Sequence, residues 1–206
     1  MVMVTLSLWG VLPILLKIGL DYYSAGTIAW FRFFFSFVAL FSFLFVFRTG
    51  CKLLRHPPII GILGGAALAA NYFGMTQGIH LSGASNAAII IQVAPLLLVI
   101  VGVLFFKETL RLRQLMGIAI AIIGFYLFYL DRSGNAVNNP NYSSANGWVL
   151  FAAILWALYM ICQKQLSIKY SAQTINLLVY AVAMVVLIPL VEWNEFFRGG
   201  VVGWFL

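Results

Sequence analysis

Charged residues are scarce in this chain of 206 residues: they make up 8% of the sequence, and only five are acidic. Soluble domains carry about 25% charged residues, so the composition excludes a water-soluble globular protein. The two cysteines, Cys51 and Cys162, are too few for a disulfide framework, and we expect free thiols. The long apolar runs contain no Asp or Glu, which leaves no carboxylate for a proton relay within them.

Sequence motifs of several enzyme classes are missing as well. There is no P-loop, so we do not expect this chain to hydrolyse ATP. There is also no Gly-x-Ser-x-Gly elbow and no cluster of His, Cys and carboxylates, as a membrane enzyme such as a lipid-modifying transferase would need. We therefore predict no catalytic residues, no cofactor and no metal. The first residues lack a basic region, and we predict no secretory signal peptide.

Apolar residues dominate what is present: 64% of the chain is hydrophobic, and the mean hydropathy is +1.04. Each apolar run is close to the ~17–25 residues that an α-helix needs to cross a bilayer. Backbone polar groups in lipid must be satisfied within the segment, so these runs predict helices and an all-α polytopic membrane protein. The seven predicted spans are residues 3–20, 27–47, 58–79, 86–106, 114–130, 147–166 and 172–191.

Most of the basic residues fall on one side of these spans. Eight of the twelve follow spans two, four and six: Arg48, Lys52, Arg55, Lys107, Arg111, Arg113, Lys164 and Lys169. The positive-inside rule then predicts a multi-pass protein of the cell (inner or plasma) membrane with a cytoplasmic N-terminus. We therefore expect the basic residues behind the net charge of +7 to contact anionic lipid headgroups, and we expect no nucleic-acid partner.

Two stretches of the chain repeat each other 147 positions apart, residues 8–28 and 155–175. The identical pairs are Leu8/Leu155, Trp9/Trp156, Ile14/Ile161, Lys17/Lys164, Tyr23/Tyr170, Ser24/Ser171, Ala25/Ala172, Thr27/Thr174 and Ile28/Ile175. Five spans separate the starts of the two copies. Because five is odd, the second copy is predicted to be inverted in the membrane, as in many transporters.

This repeat sets the predicted domains: residues 1–130 form a first five-helix repeat, 131–146 an external linker, and 147–206 the start of a second repeat. A complete second repeat would give ten helices, of which about seven and a stub are present. We therefore expect the chain to be truncated relative to its natural protein. The alternative is a protein that has seven spans.

Several short motifs resemble the EamA-type repeat of the drug/metabolite transporter superfamily. They are Leu8-Trp9-Gly10, Trp30-Phe31-Arg32-Phe33, Gln77-Gly78, Ser85-Asn86-Ala87-Ala88 with Pro95-Leu96, Lys107-Glu108, and Gln114 with Gly117 and Gly124. The resemblance implies a ten-helix carrier of small metabolites or toxic compounds, with inverted five-helix repeats around a central cavity. The position that repeats Arg32 is Val179, so the resemblance does not extend to a symmetric pair of arginines.

Arg32 is the first candidate solute-binding residue, because it lies about six residues inside span two. A charge at the bilayer centre costs ~2.5–3.5 kcal/mol, so its side chain is expected to face protein or water. Its guanidinium would suit a carboxylate or another anion. The alternative is a structural arginine that reaches the interface, exposed carbonyls or Asp21. Lys17, nearer a helix end, is predicted to anchor at the interface.

Gln92 is the second candidate, because Pro95 follows it by three residues in span four. A proline inside a helix leaves the carbonyl of residue 91 without its partner, and such backbone is tolerated in a membrane where it lines a cavity. Gln92 would then bind solute there, or else bridge two helices.

Asn71 is the third candidate, beside a ladder of small residues at spacing four, Ala66, Ala70, Gly74 and Gly78. The ladder predicts close helix packing. Asn71 is offset by about 100° from Ala70, so it is predicted to face the cavity.

Trp9 and Trp156, related by the repeat, are the last candidates and would line the cavity from both halves. The alternative for both is core packing or an interfacial anchor. The function predicted from the sequence is a secondary transporter that moves a small-molecule solute across a lipid bilayer. The alternative is a non-catalytic subunit of a larger membrane complex.

Overall fold

The structure is a computed structural model that describes residues 11–12, 14–46, 57–107, 109–136 and 142–195. Within these ranges the chain is helical with short turns, and no strand occurs, which confirms the all-α prediction. Residues 11–12 and 14–19 are helical and belong to α1. The helices that follow are α2 (Ala25–Val46), α3 (Ile59–Ser82), α4 (Ala84–Ile90), α5 (Val93–Phe106), α6 (Leu112–Ala136), α7 (Tyr142–Leu166) and α8 (Ala172–Leu187).

Five described segments are long and apolar enough to cross a membrane: Ala25–Phe45, Ile59–Ser82, Ala84–Val103, Ser143–Leu166 and Ala172–Leu190. They coincide with five of the seven predicted spans. Most of the first predicted span lies outside the described residues. The fifth corresponds to α6, whose apolar part is Leu112–Phe128.

The fourth predicted span is broken at residues 91 and 92, shortly before Pro95. The break separates α4 from α5, because the proline nitrogen cannot donate to the carbonyl of Ile91. That carbonyl is nevertheless satisfied, since the amide of Ala94 donates to it at 2.9 Å. The expected unpaired carbonyl is therefore absent at this site.

Helix α3 is the centre of the bundle and packs most extensively against α7. The two helices are antiparallel: Gly78 lies against Val149, and Gly64 lies against Cys162 near the other end of α7. A Cβ on Gly74 would lie 3.2 Å from the carbonyl oxygen of Trp148, so glycine permits this close approach. Small residues thus give α3 its tight contact with α7.

Helix α6 lies apart from the other described helices, with no extensive contact to any of them. Its apolar side chains are largely exposed, for example Ile120 and Tyr126, and a Cβ on Gly117 or Gly124 would meet open space among the described residues. Together, α6 and α7 extend from both sides into the predicted linker, residues 131–146.

Candidate functional site

Helices α2 and α8, which occupy equivalent positions in the two repeats, pack directly against each other. The amide of Ser24 contacts the carboxylate of Glu195, and nine residues further along α2 the ring of Phe33 lies 6.0 Å from that of Tyr180. Residues later in α2 therefore contact residues earlier in the chain around α8. The two equivalent helices run antiparallel, which is the arrangement that an inverted repeat requires.

Arg32 lies on α2 beside this contact and places its guanidinium carbon 4.6 Å from the centre of the Tyr72 ring. This is a cation–π distance. The alternative of an ion pair with Asp21 is not found, and no carboxylate of the described residues lies within ion-pair distance of Arg32. The arginine is half-buried, so its positive charge is partly removed from water without a described negative partner.

Tyr72 connects Arg32 to a core that contains tyrosines from three helices: Tyr72 of α3, Tyr159 of α7 and Tyr180 of α8. Tyr159 belongs to the main core cluster, and Tyr72 and Tyr180 pack against it. The edge of the Tyr72 ring also meets Phe33, with 5.0 Å between ring centres. These tyrosines were not among the residues predicted from the sequence, although Tyr180 is the residue that repeats Phe33.

Trp156 lies next to Tyr159, and whether it also lines a solute cavity stays a prediction. It packs against the main core cluster, and its ring centre is 5.6 Å from that of Tyr159. Trp156 is only partly buried, so one part of the indole faces away from the core. Its repeat partner, Trp9, lies outside the described residues.

Asn71 was predicted to face a cavity, but it lies on the packed face of α3. Its side chain is 5% exposed, and its Nδ2 donates to the carbonyl oxygen of Ala152 on α7 at 2.7 Å. The donor therefore joins two helices. Whether Asn71 also contacts a solute stays a prediction.

Gln92 lies at the break between α4 and α5, and its side chain is exposed. The residues before it, Ile90 and Ile91, pack against a second core cluster that includes Ile79 and Val149. No described contact joins Gln92 to Arg32. The structure therefore brings Arg32 and Trp156 to one cluster and leaves Gln92 at another.

A cavity of about 560 Å³ lies between α5 and α7. Apolar residues of α5 such as Leu98 and Val101 form one wall, and Gln163 and Lys164 of α7 line the other together with Ser167, which directly follows α7. Met160 lines the cavity and also packs against the main core cluster, so the two regions are neighbours. The volume falls in the ~300–1,000 Å³ range of small-molecule pockets.

Comparison with known proteins gives consistent results. The model of the EamA-like transporter family matches residues 1–130. An "uncharacterized transporter" of Haemophilus influenzae is 30% identical over 195 residues, which cover 94% of this chain and 64% of that protein. The "uncharacterized inner membrane transporter YhbE" of Escherichia coli is 24% identical over 189 residues, covering 89% of this chain and 59% of its own length. The chain thus spans about three fifths of these relatives, and no solved structure matches it.

Proposed function

Because this chain belongs to the EamA-like transporter family, we propose that it acts in a secondary carrier that exports or exchanges a small organic solute by alternating access. The chain is a multi-pass membrane protein, so it lies in a lipid bilayer. Its proposed transported partner is a small molecule. The proposed solute is of the size of an amino acid or a drug-like compound. The proposed location is the cell (inner or plasma) membrane, with the N-terminus in the cytoplasm.

The observation that carries this proposal is the antiparallel packing of α2 and α8. Two helices of equivalent sequence that face opposite ways can exchange their contacts when one repeat rocks against the other. A solute site between them would then open first to one side of the membrane and then to the other. The pair lies beside Arg32 and the tyrosines, so the proposed moving contact and the proposed site coincide.

Arg32 supports a solute that carries a carboxylate or another anionic group. A charge within a membrane protein costs several kcal/mol unless it is paired or hydrated, and the described residues offer Arg32 the face of Tyr72 but no carboxylate. The N–H donors of a guanidinium lie in its plane, and no described residue accepts a hydrogen bond from Arg32. An anionic solute would supply acceptors for these donors.

Other predicted residues enter the proposal in different roles. Trp156 offers an aromatic surface next to Tyr159 for the apolar part of a solute. Trp9 is proposed to do the same from the first repeat. Gln92 is proposed as a contact at the break before Pro95, and Asn71 is proposed to set the spacing between α3 and α7 through Ala152.

Flux measurements on the full-length chain in liposomes test this function. The panel contains labelled organic carboxylates, amino acids and neutral compounds, and we expect movement of at least one compound with an anionic group. Arg32→Gln should lower its flux about tenfold or more, since a hydrogen bond to a charged group contributes ~1.5–3 kcal/mol. The matched control is Arg113→Gln, which removes an exposed arginine at the start of α6 and should leave flux unchanged.

Two results would contradict the proposal at different levels. If no compound of the panel moves, the carrier function is wrong. If flux is unchanged in both Arg32→Gln and Gln92→Ala, the carrier function stands and the proposed site is wrong.

A further inference from the structure

The chain after α8 folds over the first turn of α2. Residues 190–195, here called the capping segment, begin at the last residue of the 3₁₀ turn Ile188–Leu190 and contact α2 at several points. The amide of Ser24 donates to both carboxylate oxygens of Glu195 at 3.0 Å, and the amide of Glu192 donates to Thr27 Oγ1 at 3.1 Å. The segment thereby joins the beginning of α2 to the end of α8.

Glu195 performs here the role that a local glutamate plays in a capping box. In that motif the residue three positions into the helix accepts a hydrogen bond from the N-cap amide. In α2 this position is Thr27, which pairs with the Ser24 hydroxyl at 2.9 Å and cannot reach the amide in the same way. Glu195, 171 residues away, supplies the carboxylate and also places a negative charge at the positive end of the helix dipole.

Close backbone contact strengthens the same junction. Gly26 lies against the carbonyl of Leu190, and any Cβ at this position would collide with that oxygen. Ala25 is 7% exposed and Thr27 is 0% exposed, although both belong to the first turn of a helix. Further along, the ring of Trp193 meets that of Trp30 edge-on at 5.6 Å. The capping segment therefore buries the beginning of α2.

The equivalent beginning of α8 has no such cover among the described residues. Ser171 and Ala172 are exposed, although they repeat Ser24 and Ala25. The two ends of the α2–α8 pair thus differ. At one end the capping segment covers the start of α2, and at the other the start of α8 is exposed among the described residues.

We propose that the capping segment is a gate of the carrier, held closed by the bond between Glu195 and the amide of Ser24. This inference rests on the proposed function, because a gate requires a transport cycle. Rocking of the repeats has to separate α2 from α8 at this end, and the contacts of Glu195, Glu192 and Leu190 oppose that separation. Arg32 lies eight residues further along α2, about 12 Å deeper, so the gate controls the helix that carries the proposed anion site.

Cysteine labelling tests the gate without any solute. The full-length chain carries Cys51→Ser and Cys162→Ala, and a single cysteine is introduced as Ala25→Cys. The rate of maleimide labelling is measured on the purified protein in detergent. Glu195→Gln should raise this rate about fivefold, the factor that corresponds to loss of a capping charge worth about 1 kcal/mol.

Two controls are matched to the test. Glu192 contacts Thr27 through its backbone amide, and Glu192→Gln changes only the side chain. This variant should therefore leave the rate unchanged. Ala172→Cys introduces the cysteine at the equivalent, exposed position and should label rapidly with or without Glu195→Gln. If Glu195→Gln does not purify, Glu195→Asp keeps the charge but shortens the side chain by one methylene, which withdraws the carboxylate from the amide of Ser24, and it should also raise the labelling rate.

The outcomes separate the gate from the carrier. Equal labelling of Ala25→Cys in the Glu195 and Glu192 variants overturns the gate, even if Arg32-dependent flux is observed. Faster labelling in the Glu195 variant alone supports the gate as a releasable contact. In that case, absence of flux across the solute panel counts against the carrier proposal and not against the contact.

Discussion

The helices α2 and α8 begin with nearly the same five residues, in surroundings that differ. Residues 24–28 and 171–175 are identical at four of five positions. The serine and threonine hydroxyls contact each other at 2.9 Å in the first copy and at 2.8 Å in the second. Yet the first copy is buried beneath the capping segment, and the second begins with exposed residues. Local chemistry forms the same helix start twice, and a distant segment decides which copy is buried.

The one position that differs is informative. The first copy has Gly26 where the carbonyl of Leu190 approaches, and the second has Gln173, which is exposed. A side chain is tolerated where nothing covers the helix and is excluded where the capping segment passes. The sequence difference between the two copies therefore matches the difference in packing.

Exchanging these two residues should have the largest effect on stability. Gly26→Gln forces a side chain against the Leu190 carbonyl and should destabilise the protein by about 1–3 kcal/mol, as overpacking does. Gln173→Gly introduces a flexible residue into an exposed helix turn and should cost about 0.5–1 kcal/mol. Thermal unfolding of the purified variants in detergent measures both. A smaller loss for Gly26→Gln than for Gln173→Gly would show that the capping segment does not press on α2.

Replacing the two threonines should give the next largest difference. Thr27→Val keeps the shape of the side chain but leaves the amide of Glu192 without its acceptor at a fully buried position, so we expect a loss of about 1–2 kcal/mol. Thr174 is partly exposed, and its described partner is the neighbouring Ser171, so Thr174→Val should cost less than about 0.5 kcal/mol. The same unfolding measurement applies. Equal losses for the two valines would mean that the Glu192 contact contributes nothing.

Much of the fold could be predicted from the sequence, because helices in lipid need long apolar runs. The antiparallel orientation of α2 and α8 also agrees with the odd number of spans between the two copies, whereas the unpaired carbonyl predicted from Pro95 is not found. These features depend on the length of the apolar runs and on the number of spans, not on detailed side-chain packing.

The rotation of α3 could not be predicted in the same way. The ladder at spacing four suggested that Asn71 lies off the packed face, but an α-helix has 3.6 residues per turn, so a strict spacing of four drifts around the axis. The face that packs against α7 contains Gly64, Asn71, Gly74 and Gly78, while Ala66 and Ala70 are only partly buried. Small size alone did not identify the contact, because α3 contains small residues on several faces.

The surroundings of Arg32 and of Ser24 were also beyond the sequence. Tyr159 and Tyr180 are ordinary aromatic residues of apolar helices until α7 and α8 are placed against α3. Glu195 lies 171 residues from Ser24, and no local motif connects them. The repeat could have indicated only that α2 and α8 meet, since the second copy shows no equivalent of the capping segment among the described residues.

Removing the two serine hydroxyls should give the smallest difference between the two helix starts. Ser24→Ala and Ser171→Ala each remove one contact with a threonine hydroxyl. Ser24→Ala also removes a long hydrogen bond of 3.4 Å from the amide of Thr27, which has no counterpart at Ser171, so it should cost about 0.5–1 kcal/mol and Ser171→Ala slightly less. Glu195 accepts its hydrogen bond from the backbone amide of residue 24, which alanine retains. Ser24→Ala should therefore leave the labelling rate of Ala25→Cys unchanged, in contrast to Glu195→Gln. Faster labelling in Ser24→Ala would place the closing contact in the serine hydroxyl and not in the amide.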